Sequence, residues 1–451
     1  MLLSKMRNNK YSNFYYQNLI IMKNLVIILF SMYALIACTQ PEVKNKSLPL
    51  SENSPESAGM SSERLARIDS LCMKAVSENK IPGAVVLIAR NGKIVYYKAF
   101  GMADNQSGRT LKRDDIFLIA SQSKAITSTA VMMLWEEGKF KLDDPISMYI
   151  PEFKNPQVLK TFNPKDSSYT TVPAVGEITI RQLLDHTSGL GYGVIGADER
   201  IRKIYQKAGI VDAFCSENVT IGENIKKLAK LPLLFNPGEK FSYCEGLDVL
   251  GYLIEIESGM PFDVFLRTRL FEPLGMNDTW FYLPDDKASR LVSVQKPDNG
   301  KWVRYPVTFY DPDYPIKGAR KFFPGGAGLS STAKDYATFL QMYLNGGELN
   351  GKRILSRTTI QSMMSNQNIN IWGENVENYY ALAFGVITQK GQDKGGQGSK
   401  GTFFWGGYFN TDYFADPREK TIGILMKQTQ ETTSDDTGWK FQLLVGQAID
   451  D

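Results

Sequence analysis

Ser121-Gln122-Ser123-Lys124-Ala125-Ile126-Thr127-Ser128-Thr129-Ala130-Val131-Met132-Met133-Leu134-Trp135 is the stretch whose reading decides the fold. Beyond Lys124 it is apolar and small-sided, and it closes at Glu136-Glu137-Gly138, a pattern that predicts a helix. Ser121 and Lys124 stand three residues apart at its start, so they share a face. A serine hydroxyl is a poor nucleophile until a neighbouring base takes its proton, and a lysine can be that base if burial lowers its pKa. The free N–H groups of a helix start can also hold a developing oxyanion. S-x-x-K by itself recurs by chance in a chain of 451 residues, so its weight comes from what surrounds it.

Working outward, residues 82–90 and 93–100 read as two strands, with Asn91-Gly92 between them as a two-residue hairpin turn. An amphipathic helix opening at Ser61-Ser62-Glu63 precedes them. From Ser121 to Glu377 the pattern is mostly helices and loops. Strands return at 380–389, 402–405, 412–415 and 421–427, and a final helix covers 439–449. The prediction is an α+β fold: an antiparallel sheet flanked by helices, built from residues 58–120 and 378–451, with a mostly helical domain, 121–377, inserted. A cleft between two such parts is a usual place for a site.

Residues 1–38 carry four basic side chains and no acidic ones; the remainder balances 48 basic against 48 acidic. Nothing in that balance supports nucleic-acid binding. Met22-Lys23-Asn24, an apolar run over 25–34 and Leu35-Ile36-Ala37-Cys38 have the layout of a targeting segment. The run is short for a bilayer span. Residues 39–57 are polar and read as a tether. Cys72 falls in a stripe with Leu65, Ile68 and Leu71 and is expected in the core. A Cys215–Cys244 bridge is open but not favoured. With His186 as the single histidine, no Cys/His zinc cluster is expected, and neither is any other metal or cofactor.

Leu35-Ile36-Ala37-Cys38 resembles a bacterial lipobox, which implies lipidation at Cys38, a membrane contact through that anchor, and a place in the cell envelope. Further motifs follow the S-x-x-K in order: Leu183-Leu184-Asp185-His186-Thr187-Ser188-Gly189-Leu190, Tyr243-Cys244-Glu245, Pro324-Gly325-Gly326-Ala327-Gly328-Leu329 and Trp405-Gly406-Gly407. Together they resemble the serine β-lactamase and penicillin-binding-protein superfamily over residues 55–450. That resemblance implies Ser121 as acylated nucleophile, Lys124 as proton relay, Tyr243 as general base and acid, and the Ser121 and Tyr408 N–H groups as oxyanion hole. It also implies a structural role for His186. A Ser-His-Asp reading is rejected, because adjacent Asp185 and His186 side chains point apart.

Two departures sharpen the expectation. Trp405 replaces the cationic residue that helps such enzymes recognise a substrate carboxylate; tryptophan offers an apolar face and one N–H donor. The Trp-Gly-Gly form resembles the family VIII esterases and related fungal acyltransferases. Glu245 stands where an amide-recognising asparagine is usual, and an ionised carboxylate cannot donate. Trp405, Gly406, Gly407 and Glu245 are the expected substrate-binding positions. The expected function is a serine hydrolase working through an acyl-enzyme on small ester or acyl substrates. The rivals are a β-lactamase or D-alanyl-D-peptide hydrolase, and a catalytically idle binding protein.

Overall fold

The computed structural model describes residues 49–214, 216–395, 397–432 and 435–451. The targeting segment, Cys38, most of the tether and Cys215 lie outside them. A nine-stranded sheet organises the molecule. Its strands are β1 (Ser51–Glu52), β2 (Gly83–Arg90), β3 (Lys93–Asp104), β4 (Arg109–Thr110), β5 (Asn378–Tyr380), β6 (Gly385–Ile387), β7 (Phe403–Gly407), β8 (Thr411–Asp416) and β9 (Thr421–Met426). The spatial order is β1-β3-β2-β9-β8-β7-β6-β5, with β4 on β3. All pairs are antiparallel except β1 with β3, where Ser51 and Glu52 lie parallel to Lys93 and Ile94. The predicted tether therefore already joins the fold at residue 51.

The middle pair, β2 with β9, joins the two ends of the chain, with Leu87 opposite Ile424. Alternation along β2 feeds two cores. Ala84, Val86 and Ile88 pack under α1 (Ser62–Ser77) with Leu65, Ile68 and Cys72, and under the last helix with Phe441 and Val445. Val85, Leu87 and Ala89 face the larger core on the other side. A strand buried on both faces reads as an unbroken apolar run, as residues 84–89 do.

That larger core holds α2 (Ser123–Glu136), in which every residue from Ser123 to Leu134 is buried. A helix apolar all round belongs inside a fold. Its few polar side chains tie it to its surroundings: Thr127 Oγ1 donates to Gly325 O at 2.7 Å, and Ser123 Oγ accepts from Leu329 N–H at 3.1 Å. The glycine loop thus lies directly on α2, and a Cβ on Gly325 would sit 2.4 Å from Leu247 O, too close for any larger residue. α3 (Ile180–Leu184) starts on a capping box between Thr179 and Gln182. α4 (Gly246–Ser258) packs against both α2 and α3.

The segment 121–377 is less purely helical than its sequence predicts. Gln157–Phe162 pairs with Tyr169–Pro173, and Gln295–Asp298 with Lys301–Arg304. The expected strand over 380–389 is instead the hairpin β5–β6, broken where Ala383 adopts φ +72°. Among the described residues no helix is long and apolar enough to cross a membrane.

Candidate active site

Ser121 does not lie in α2 itself. It sits in a tight 3-10 turn, Ala120–Gln122, that leads into the helix. Ala120 takes φ +43°, an uncommon value for a residue with a Cβ, immediately before the serine. Such strain persists only where the surroundings hold it, and it tends to mark functional turns. The surroundings here are the end of β7: a Cβ on Gly407 would stand 2.5 Å from Ile119 O and 2.3 Å from Thr411 Oγ1. Glycine at 407 lets the β7 backbone close on the turn that carries Ser121. The next residue, Tyr408, has its carbonyl held by Gln430 Nε2 at 2.5 Å.

Lys124 is fully buried. Its Nζ donates to Gly326 O at 2.7 Å and to Tyr192 OH at 2.9 Å, and lies 3.4 Å from Ser121 Oγ. It also stands 4.6 Å from the centre of the Tyr243 ring. Ser121, Tyr243, Trp405, Gly406, Gly407 and Tyr408 line the same cleft, of about 770 Å³. The Trp405 indole N–H donates to Tyr243 OH at 3.3 Å. Trp405 therefore turns its single donor toward the tyrosine rather than toward a ligand carboxylate.

His186 is buried and adopts φ +61°. Its Nδ1 accepts from Cys244 N–H at 3.3 Å, and its carbonyl accepts from Ser242 N–H at 2.9 Å. Its ring centre lies 4.5 Å from that of Tyr243. The histidine thus braces the loop that presents Tyr243. Burial, assisted by Lys124, pushes its pKa well below the usual imidazole value, so it stays neutral. Asp185 turns the other way, accepting from Thr187 N–H at 3.2 Å, from Thr187 Oγ1 at 2.7 Å and from the Asn368 amide. No Ser-His-Asp relay is assembled. Cys72 and Cys244 are free, buried thiols.

Glu245 is placed differently from its expected role in substrate contact. It stands at the start of α4, almost wholly buried, outside the cleft lined by Ser121 and Tyr243. Burial first, and then Asp212, push its pKa well above the ordinary carboxyl range. The physical reason for the placement is the Glu245 N–H bond to Gly191 O at 3.1 Å, which turns the side chain inward.

Tyr192 is the residue that sequence reasoning missed. It is buried, its hydroxyl accepts from Lys124, and its ring centre lies 5.7 Å from that of Tyr243. The available signal was its place two residues beyond Leu190, on the loop that the His186 motif fixes.

Chemically, this arrangement offers a hydroxyl beside a buried amine, two phenols around that amine, and a strand edge facing the hydroxyl's own turn. It suits attack on an acyl carbon.

Comparison with known proteins points the same way. A family model described as Beta-lactamase matches residues 67–447. Esterase EstB of Burkholderia gladioli is 29% identical over 384 residues, covering 80% of this chain and 89% of its own length. Lovastatin esterase of Penicillium rubens is 31% identical over 62% of this chain and 69% of its own. Among solved structures, EstCE1, a hydrolase with promiscuous acyltransferase activity, superposes with a TM-score of 0.71 at 26% identity, over 85% of this chain and 98% of its own.

Proposed function

This chain belongs to the Beta-lactamase family, and from that premise we propose that it is a serine hydrolase that cleaves or transfers small acyl groups held as esters. Ser121 Oγ attacks the ester carbonyl, and its proton passes to the Tyr243/Lys124 pair. The N–H groups of Ser121 and Tyr408 receive the oxyanion. The alcohol leaves with the proton returned through Tyr243, and the acyl group stays on Ser121. Water, or a second alcohol, then attacks with the same pair as base. Tyr192 and Gly326 O hold Lys124 in line throughout.

The observation that carries esters over β-lactams or peptides is at Trp405. Where a carboxylate-recognising cation would stand, this chain has an indole whose N–H is engaged by Tyr243. The names of EstB, lovastatin esterase and EstCE1 support the same class.

Intact-mass spectrometry on the chain lacking residues 1–38 tests the reading. A fluorophosphonate should add one adduct to the wild type and none to Ser121→Ala, and p-nitrophenyl acetate should turn over faster than a chromogenic cephalosporin. A faster cephalosporin makes the protein a β-lactamase instead. An unlabelled wild type makes it a binding protein on this fold.

We also propose that the protein is anchored in a bacterial envelope membrane through a lipid on Cys38. Support comes from the basic start at Lys23, the apolar run and Leu35-Ile36-Ala37-Cys38. A fatty-acid label should enter the wild type and be lost in Cys38→Ser, which should also leave the membrane fraction. Retention of label in Cys38→Ser would refute the anchor.

A further inference from the structure

Near Lys124, three carboxyl groups that do not line the cleft are buried. Asp212, Glu245 and Asp248 are 7%, 1% and 2% exposed. Each keeps one oxygen (Asp212 Oδ2, Glu245 Oε1, Asp248 Oδ2) without a hydrogen-bond partner among the described residues. The cluster is not arranged to hold a metal ion. Buried, unpaired carboxylates are costly, so the group calls for an account.

Geometry separates the three. Asp248 Oδ1 accepts from Gly326 N–H at 3.0 Å, and the carbonyl of the same Gly326 accepts from Lys124 at 2.7 Å. A Cβ on Gly326 would lie 2.9 Å from Asp248 Oδ2, 2.9 Å from Tyr192 OH and 3.4 Å from Lys124 Nζ, so all three groups converge on one peptide. The other two are held apart from that peptide: Asp212 Oδ1 receives Gly193 N–H at 3.4 Å, and the Glu245 backbone N–H donates to Gly191 O at 3.1 Å.

We propose that Asp248 is a positioning residue that fixes Lys124 through the Gly326 peptide and sets its charge. This rests on the reading of Ser121, Lys124 and Tyr243 given above. The charged and titratable groups around Asp248 are Lys124 from α2, Tyr192 and Asp212 from the loops beyond His186, and Glu245 from the start of its own helix. The Tyr243 ring centre lies 4.6 Å from Lys124 Nζ. Burial, opposed by Gly326 N–H and Lys124, brings the Asp248 carboxyl up to about 6, so it is ionised at neutral pH. An anion there resists loss of a proton from the Lys124/Tyr243 pair, and removing it eases that loss.

The test is the pH dependence of kcat/KM for p-nitrophenyl acetate, with fluorophosphonate labelling of each protein as the check on Ser121. In Asp248→Asn the acidic limb should move down by roughly one pH unit, the low end of the effect of a nearby opposite charge. In Glu245→Gln, which leaves the Asp248–Gly326–Lys124 contacts in place, the limb should stay where it is in the wild type. A role confined to packing lowers the rate without moving either limb. The proposal is overturned if the Asp248→Asn limb coincides with that of the wild type, or if Glu245→Gln moves it as far. Asp248→Ser keeps an acceptor for Gly326 N–H without the charge, and it carries the same prediction if Asp248→Asn does not fold. An unlabelled wild type would instead refute the proposed function.

Discussion

Ser121→Ala is expected to lower kcat on p-nitrophenyl acetate by about 10⁴-fold or more, the scale seen when a covalent nucleophile is removed. The fold should not change. Ser121 lies at the cleft surface rather than in the core, and among the described residues its side chain shows one hydrogen bond, the 3.4 Å contact from Lys124. The Ala120–Gln122 turn is held by backbone bonds such as Gln122 N–H to Ile119 O, which alanine keeps. A steady-state assay combined with a thermal melt checks both halves. Loss of less than about tenfold, with the melt unchanged, would mean that acyl transfer runs through another group.

Lys124→Met is the second large effect. Methionine matches the length and fills the buried space, but it can neither take a proton nor donate to Tyr192 OH and Gly326 O. General acid–base catalysis contributes typically 10²–10⁴-fold, so a fall of about 10³-fold in kcat is expected. KM should change little, because Lys124 is shielded from the cleft behind Ser121 and Tyr243. Tyr192 OH and Gly326 O lose a donor at about 1–3 kcal/mol each if left bare. The variant also sheds a buried charge, which offsets part of that cost. Stopped-flow measurement of acylation separates this from slow product release: a normal acylation rate would leave Lys124 with no part in activating Ser121.

Much of this was legible in the chain because the motifs are local. The helix after Ser121, the Asn91-Gly92 hairpin and the capping box at Thr179 each announce themselves within a few residues. So does the glycine loop at 324–329, whose small residues are required by its approach to α2. What stayed hidden depends on distant partners. Tyr192 becomes a ligand of Lys124 only once α2, the loop after Leu190 and Gly326 meet. Glu245 looked available because its neighbour Tyr243 is, but a single backbone bond to Gly191 turns it inward. The hairpin over 157–173 has a largely exposed second strand, so no buried alternation marks it. The hairpin over 295–304 did carry a signal, Asn299-Gly300 with φ of +48° and +76°, the turn chemistry already recognised at residues 91–92. Nothing in residues 381–384 marks the break between β5 and β6, since Ala383 takes a positive φ without a glycine.

The sheet's middle pair has a consequence for how the protein comes into being. β2, residues 83–90, finds its partner β9 only after synthesis has passed residues 421–426. Until then the apolar run 84–89 of β2 has one neighbour, β3, and an open edge. Contacts so remote in sequence make for slow folding, and an uncovered strand edge invites association with other chains. A ribosome-bound or unfolded chain of this protein is therefore a natural client for a chaperone that holds β2 apart. The turn bearing Ser121 also gains its support late, when Gly407 of β7 arrives against Ile119 O.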